Sequence, residues 1–112
     1  MERFRLDGFD PRDPRLEGVT IAPLTPPGAV QAAIFRLAPG GRIARHPATV
    51  PQILAVLEGD GRVSGADGEL EPIAAGEAVF WSAGEEHETV SDGGLTALVL
   101  EAEGLTPSRR PR

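Results

Sequence analysis

Apolar and polar positions alternate along this chain with a period of two, and the runs are short. Residues 52–58 form the strongest one: Gln52, Leu54 and Val56 share one face, and Ile53, Ala55 and Leu57 share the other. Both faces are largely apolar, so both must be covered, as in the middle of a sandwich or barrel. Glu58 keeps the parity of Gln52 and is expected on the same face. Further strands are predicted over residues 19–24, 29–37, 42–46, 62–64, 69–73, 78–81, 87–91 and 95–101. The punctuation between them is Thr25-Pro26-Pro27-Gly28, Pro39-Gly40-Gly41, Gly59-Asp60-Gly61, Ala66-Asp67-Gly68, Gly76 and Asp92-Gly93-Gly94. Gly68 is expected at a hairpin position that needs positive φ. No helical period persists for three turns. The pattern predicts an all-β sandwich or barrel of mostly antiparallel strands.

Residues 1–17 contain two Asp-Pro steps, Asp10-Pro11 and Asp13-Pro14, which disfavour helix and predict an extended N-terminal arm. Phe4, Leu6 and Phe9 give that arm apolar groups to dock. Residues 18–104 are expected to form a single barrel domain, and residues 105–112, polar and broken by proline, a disordered tail.

Composition narrows the chemistry. With no cysteine, disulfides, thiolate metal sites and a cysteine nucleophile are excluded. A net charge of −6 argues against nucleic acid as a partner, because phosphate binding needs clustered positive charge. All basic residues are arginine. No apolar run approaches the roughly 20 residues of a membrane helix, and the first residues lack the apolar core of a signal peptide. The expectation is a cytoplasmic protein with no membrane association.

There are only two histidines, His46 and His87, and each stands in a glycine-framed stretch. Gly40 is followed by five residues and His46; Gln52 comes six residues after His46, and Gly59 closes the stretch. Gly76 is followed by five residues and Ser82, then by Gly84 and His87, and after three more residues by Ser91. These stretches resemble the two motifs of the cupin superfamily, small β-barrels of double-stranded jelly-roll type, and cover about half the chain. In the family two histidines and a glutamate of the first motif and the histidine of the second bind one divalent metal. Position by position, the resemblance implies a site of His46, Gln52 and His87, with Ala48 at the second histidine place and Gln52 at the glutamate place. Ser82 and Ser91 replace the family's proline and asparagine.

An alanine methyl cannot coordinate, and an amide oxygen is neutral. The departures therefore remove one ligand and one negative charge. Two imidazoles and one oxygen still make a viable facial set for a divalent iron, nickel, manganese, zinc or copper ion. Glu58, Glu85 and Glu86 are candidate replacements for the lost carboxylate. Two functions follow from the resemblance: a metal-dependent small-molecule enzyme of dioxygenase or isomerase type, or a non-catalytic, metal-free ligand-binding or sensory module. Either is expected to be a homodimer with a small molecule in the barrel. Among other residues, Trp81 is read as a core or interface anchor ahead of a pocket wall. Arg45 is read as a surface or dimer ion pair, Arg36 and Arg62 as partners for a substrate carboxylate, and Thr49 and Thr89 as exposed strand threonines.

Overall fold

The computed structural model describes residues 1, 5, 7–23, 28 and 30–107, and builds them into seven strands. They are β1 Leu16–Pro23, β2 Val30–Pro47, β3 Gln52–Ser64, β4 Glu71–Ala74, β5 Ala78–Trp81, β6 Glu86–Val90 and β7 Leu95–Ala102. Every pairing is antiparallel, and no helix occurs among the described residues. The first half of β2 pairs with β7 and its second half with β6; β3 likewise pairs first with β7 and then with β6. That exchange closes a ring, β2–β6–β3–β7, with β1 added on β2 and β4 and β5 added on β3. The result is a jelly roll of two facing sheets. Phe4, Leu6, Thr25–Pro27 and the end of the tail, on which sequence expectations were placed, lie outside the described residues.

Two long strands serve both sheets because glycines let them turn a corner. At Gly59 φ is +78°, and the backbone of Gly94 passes so close that any Cβ would collide with its carbonyl. The Pro39-Gly40-Gly41 segment is also a corner, not the gap between two strands that its composition predicts. β2 runs through it while its pairing with β1 shifts register between Glu17 and Val19. The Gly40 N–H donates to Ser91 O at 2.8 Å and the Ser91 N–H to Gly41 O at 3.1 Å, so the turn residues keep ladder-like bonds.

The core lies between the sheets and contains Leu37, Ile43, Leu54, Val56, Val63, Trp81 and Val99, all buried. Full burial of an aliphatic side chain contributes about 1.5–3 kcal/mol. The alternation in β3 holds as far as Val56: Gln52, Leu54 and Val56 point in, while Ile53 and Ala55 are half-buried on the outside. The register against β7 then shifts between Val56 and Glu58, so Leu57 and Glu58 are both exposed and Glu58 does not share the face of Gln52. Leu57 is 51% exposed, so the outer apolar face is incompletely covered by its own chain.

Immediately before β1, residues 10–15 form a tight turn. Asp10 and Asp13 accept the N–H groups of Arg12 and Arg15, each at 2.9 Å, and Arg12 takes φ of +54°. Beyond that turn Phe9 pairs with Ile21 through two backbone hydrogen bonds of 2.9 and 3.0 Å, adding a ladder step outside β1.

Candidate functional site

The two histidines come together because β2 and β6 set them opposite each other: His46 and His87 are register partners. Their ring centroids are 4.4 Å apart. Each Nδ1 lies within hydrogen-bond distance of a backbone carbonyl two residues earlier, His46 with Ala44 O at 2.7 Å and His87 with Glu85 O at 3.1 Å. A carbonyl can only accept, so each Nδ1 carries the proton and each neutral ring keeps its lone pair on Nε2. Both rings line one cavity of about 150 Å³ at the end of the barrel.

The facing sheet supplies the other wall. Gln52 pairs with Trp81 on β5 and with Glu101 on β7, so these three stand in one cross-strand row, and all three line the cavity. Gln52 is 9% exposed and brings an amide to the histidines. Trp81, the only tryptophan, is buried in the core and is also the wall: it stacks on His87 with centroids 4.4 Å apart and planes 30° from parallel. Its indole N–H donates to Ser64 O at 3.1 Å, which fixes the ring. Burial pushes His87 below its ordinary pKa; neighbouring His46 adds to this, and the Glu85 carbonyl with the charges of Glu85 and Glu86 opposes it. His87 is therefore held as the neutral base that a ligand or metal requires.

The structure brings His46, Gln52 and His87 together and leaves every expected replacement carboxylate outside. Glu58 faces a separate depression with Asp10 and Arg36. Glu85 is committed to backbone: its carboxylate accepts the N–H of Ser82 at 3.0 Å and of Ala66 at 3.2 Å. Glu86 is exposed and does not line the cavity. Ala48 is buried and does not line it either; its N–H and carbonyl bond to Glu85 and Gly84. Nor does any arginine among the described residues line it. Arg45 donates to Gly65 O and Ala66 O, each at 3.0 Å, in place of an ion pair, and Arg62 lies 3.6 Å from Asp92. Thr49 is exposed, whereas Thr89 is buried and lines the cavity.

Glu101 is the cavity-lining carboxylate that sequence reasoning missed. Leu95, Ala97 and Val99 point inward, and the same parity carries Glu101 to the cavity at the end of the last strand. Among the described residues no hydrogen bond or ion pair engages its carboxylate. No group of three His, Cys, Asp or Glu is arranged to hold a metal among the described residues, and the set the resemblance implies takes its third donor from the amide oxygen of Gln52.

A β-barrel with a paired histidine centre between its sheets defines a class, and the comparisons agree with it. The Cupin domain family matches residues 33–103, more than half of the chain, and the protein belongs to that family. Among solved structures, the polyketide cyclase RemF of Streptomyces resistomycificus is similar with a TM-score of 0.80 at 22% identity, over 96% of this chain and 88% of that one. A cupin-2 domain protein of Rhodospirillum rubrum gives 0.73 at 18% identity, over 99% and 80%. A protein of Thermotoga maritima described as a predicted oxalate decarboxylase gives 0.70 at 26% identity, over 76% and 80%. Comparison with curated proteins gives no match.

Proposed function

We propose that this cupin binds a small organic molecule in the barrel cavity beside a divalent metal held by His46, Gln52 and His87. The observation that carries the reading is the pair of Nδ1–carbonyl contacts: with each Nδ1 engaged by backbone, Nε2 is the nitrogen that each cavity-lining ring keeps for a metal. Two imidazoles and an amide oxygen suit zinc, copper, nickel or iron better than magnesium or calcium. When bound, such an ion supplies Lewis-acid polarisation of a ligand oxygen. The chain's own part is to orient that ligand against Trp81 and Gln52 and to exclude water from a cavity walled by Leu54, Ile43 and Phe35. On this reading the protein is an enzyme of the dioxygenase or isomerase kind.

The test is elemental analysis of tag-free protein beside His46→Ala. Near-stoichiometric metal that is lost in the variant supports the reading. Absence of metal from both, after reconstitution with each candidate ion, overturns it.

Ala48 and Gln52 favour a second reading, a metal-free binding or sensory module, because the set lacks both the second first-motif histidine and an anionic ligand. Stabilisation of the chelated protein by metabolites, with none by divalent ions, supports that alternative. We also propose a homodimer joined through the outer face of the β7–β3–β5 sheet. There Ile53 lies between Leu100 and Phe80, all half-buried, with exposed Leu57 nearby. Sedimentation velocity tests it: a dimer is expected, and Ile53→Asp should give a folded monomer.

A further inference from the structure

Beside the histidine cavity lies a second chamber of about 270 Å³, walled by Phe9, Ile21, Pro23, Phe35 and Val99. The two chambers share Phe35 and Glu101, so they adjoin, and together they reach the lower end of the size usual for small-molecule sites, about 300–1,000 Å³. This chamber exists because β1 and the Phe9 ladder step extend one sheet outward, giving a continuous row of Phe9, Ile21 and Phe35. Phe9 is 50% exposed, a large aromatic surface left open at the chamber's edge.

We infer that the site takes a neutral, ring-bearing molecule that places its apolar body against Phe9 and Phe35 and a hydroxyl donor, phenolic or enolic, on Glu101, and that it rejects carboxylate ligands of the same shape. This rests on the small-molecule reading above and assigns its ligand class. Three observations carry it. Apart from exposed Gln31 and the shared Glu101, the second chamber is lined by aromatic and aliphatic residues. The polar side chain that both chambers share is an acceptor: the Glu101 carboxylate has no partner among the described residues. A ligand that brings a proton satisfies it, while the Gln52 amide can donate to a neighbouring carbonyl oxygen. Finally, among the described residues no arginine lines either chamber, and the chain has no lysine. An incoming carboxylate would meet Glu101 and find no cationic side chain among the described residues, an arrangement that rejects a ligand as effectively as good contacts select one.

Isothermal titration with a matched pair, 2-naphthol and 2-naphthoate, tests this on the chelated and on the zinc-loaded protein. The expected result for the chelated protein is that naphthol binds at least tenfold tighter than naphthoate. Glu101→Gln should bring the two within about threefold, and Phe9→Ala should weaken naphthol while leaving the ratio in place. Thermal melts of both variants establish that they are folded. Equal or tighter naphthoate binding, a ratio unchanged in Glu101→Gln, or no binding of either compound at millimolar concentration overturns the inference. Zinc retained by a protein that binds neither compound sinks the ligand class alone. Metal absent from a protein that still prefers naphthol sinks the metal reading alone.

Discussion

Trp81 and His87 are stacked in the interior, with centroids 4.4 Å apart and planes 30° from parallel. The contact joins the only tryptophan to one of the two histidines, so indole emission reports on the site directly. In chelated protein, protonation of His87 should quench that emission, with a midpoint below the ordinary histidine value of about 6.5, because burial disfavours the charged ring. The sign for stability follows. The unfolded chain takes up the proton near pH 6.5 and the folded chain only at lower pH, so the unfolded state binds more protons between the two values. The contribution of neutral His87 is therefore complete above about pH 6.5 and is lost as pH falls toward and through the folded pKa. Guanidinium melts from pH 7.5 to 5 should show that decline, and His87→Gln should flatten it. Asp13, held at about 2 by its hydrogen bonds to Arg15, acts only in a lower and separate window.

Changing Gln52→Glu should move two properties in opposite directions. An anionic oxygen beside two imidazoles is a better donor to a dication, and zinc affinity should rise at least tenfold, about 1.4 kcal/mol. The same substitution sets a carboxylate directly across the β3–β7 ladder from Glu101. Like charges in that position destabilise an antiparallel pair by up to about 1 kcal/mol. The chelated variant should thus melt several degrees below the parent, and the zinc-loaded variant should recover. Competition titration with a chromophoric chelator and parallel thermal melts read both effects.

Glu85 separates a structural carboxylate from a ligand. It caps the turn before β6 through Ser82 N–H and ties that turn to the 64–66 hairpin through Ala66 N–H. Glu85→Ala removes both acceptors and should cost about 1–2 kcal/mol, discounted for partial exposure. Bound metal per chain should stay unchanged. Loss of metal with little change in melting temperature would assign Glu85 to the site after all.

Much of this architecture is legible in the residues. The alternation in β3, the turn at Gly68 and the framing of each histidine by glycines all predict the barrel, and the motif glycines Gly40, Gly59, Gly76 and Gly84 do take positive φ. What escaped was set by pairing between distant strands. A register shift after Val56 has no signature in the local pattern, so Glu58 reads as an inward residue and is not one. Pro39-Gly40-Gly41 reads as a break because composition cannot tell a strand corner from a loop. Glu101 ends an alternating run, and nothing in its local sequence marks it as a cavity residue, although its parity points into the cavity. The guanidinium groups of Arg45 and Arg62 are aimed by tertiary contacts that no spacing reveals.

The corner at Gly59 should be the least tolerant position in the barrel, and comparison with Gly76 shows why. Both have positive φ, +78° and +91°, so alanine at either carries the left-handed penalty of about 1–2 kcal/mol. Around Gly76 an added Cβ meets nothing within 4 Å. At Gly59 it would collide with Gly94 O and lie 3.0 Å from Leu95 Cα, both backbone atoms of the neighbouring β7 seam. Backbone cannot rotate away as a side-chain tip can, so β3 and β7 would have to separate where the ring closes. Gly76→Ala should therefore cost about 1–2 kcal/mol, and Gly59→Ala at least about 2 kcal/mol more, as overpacking adds to strain. Denaturant melts of the two variants give the difference directly. Equal losses would mean that the seam relaxes around the methyl group and that backbone conformation alone explains the glycine.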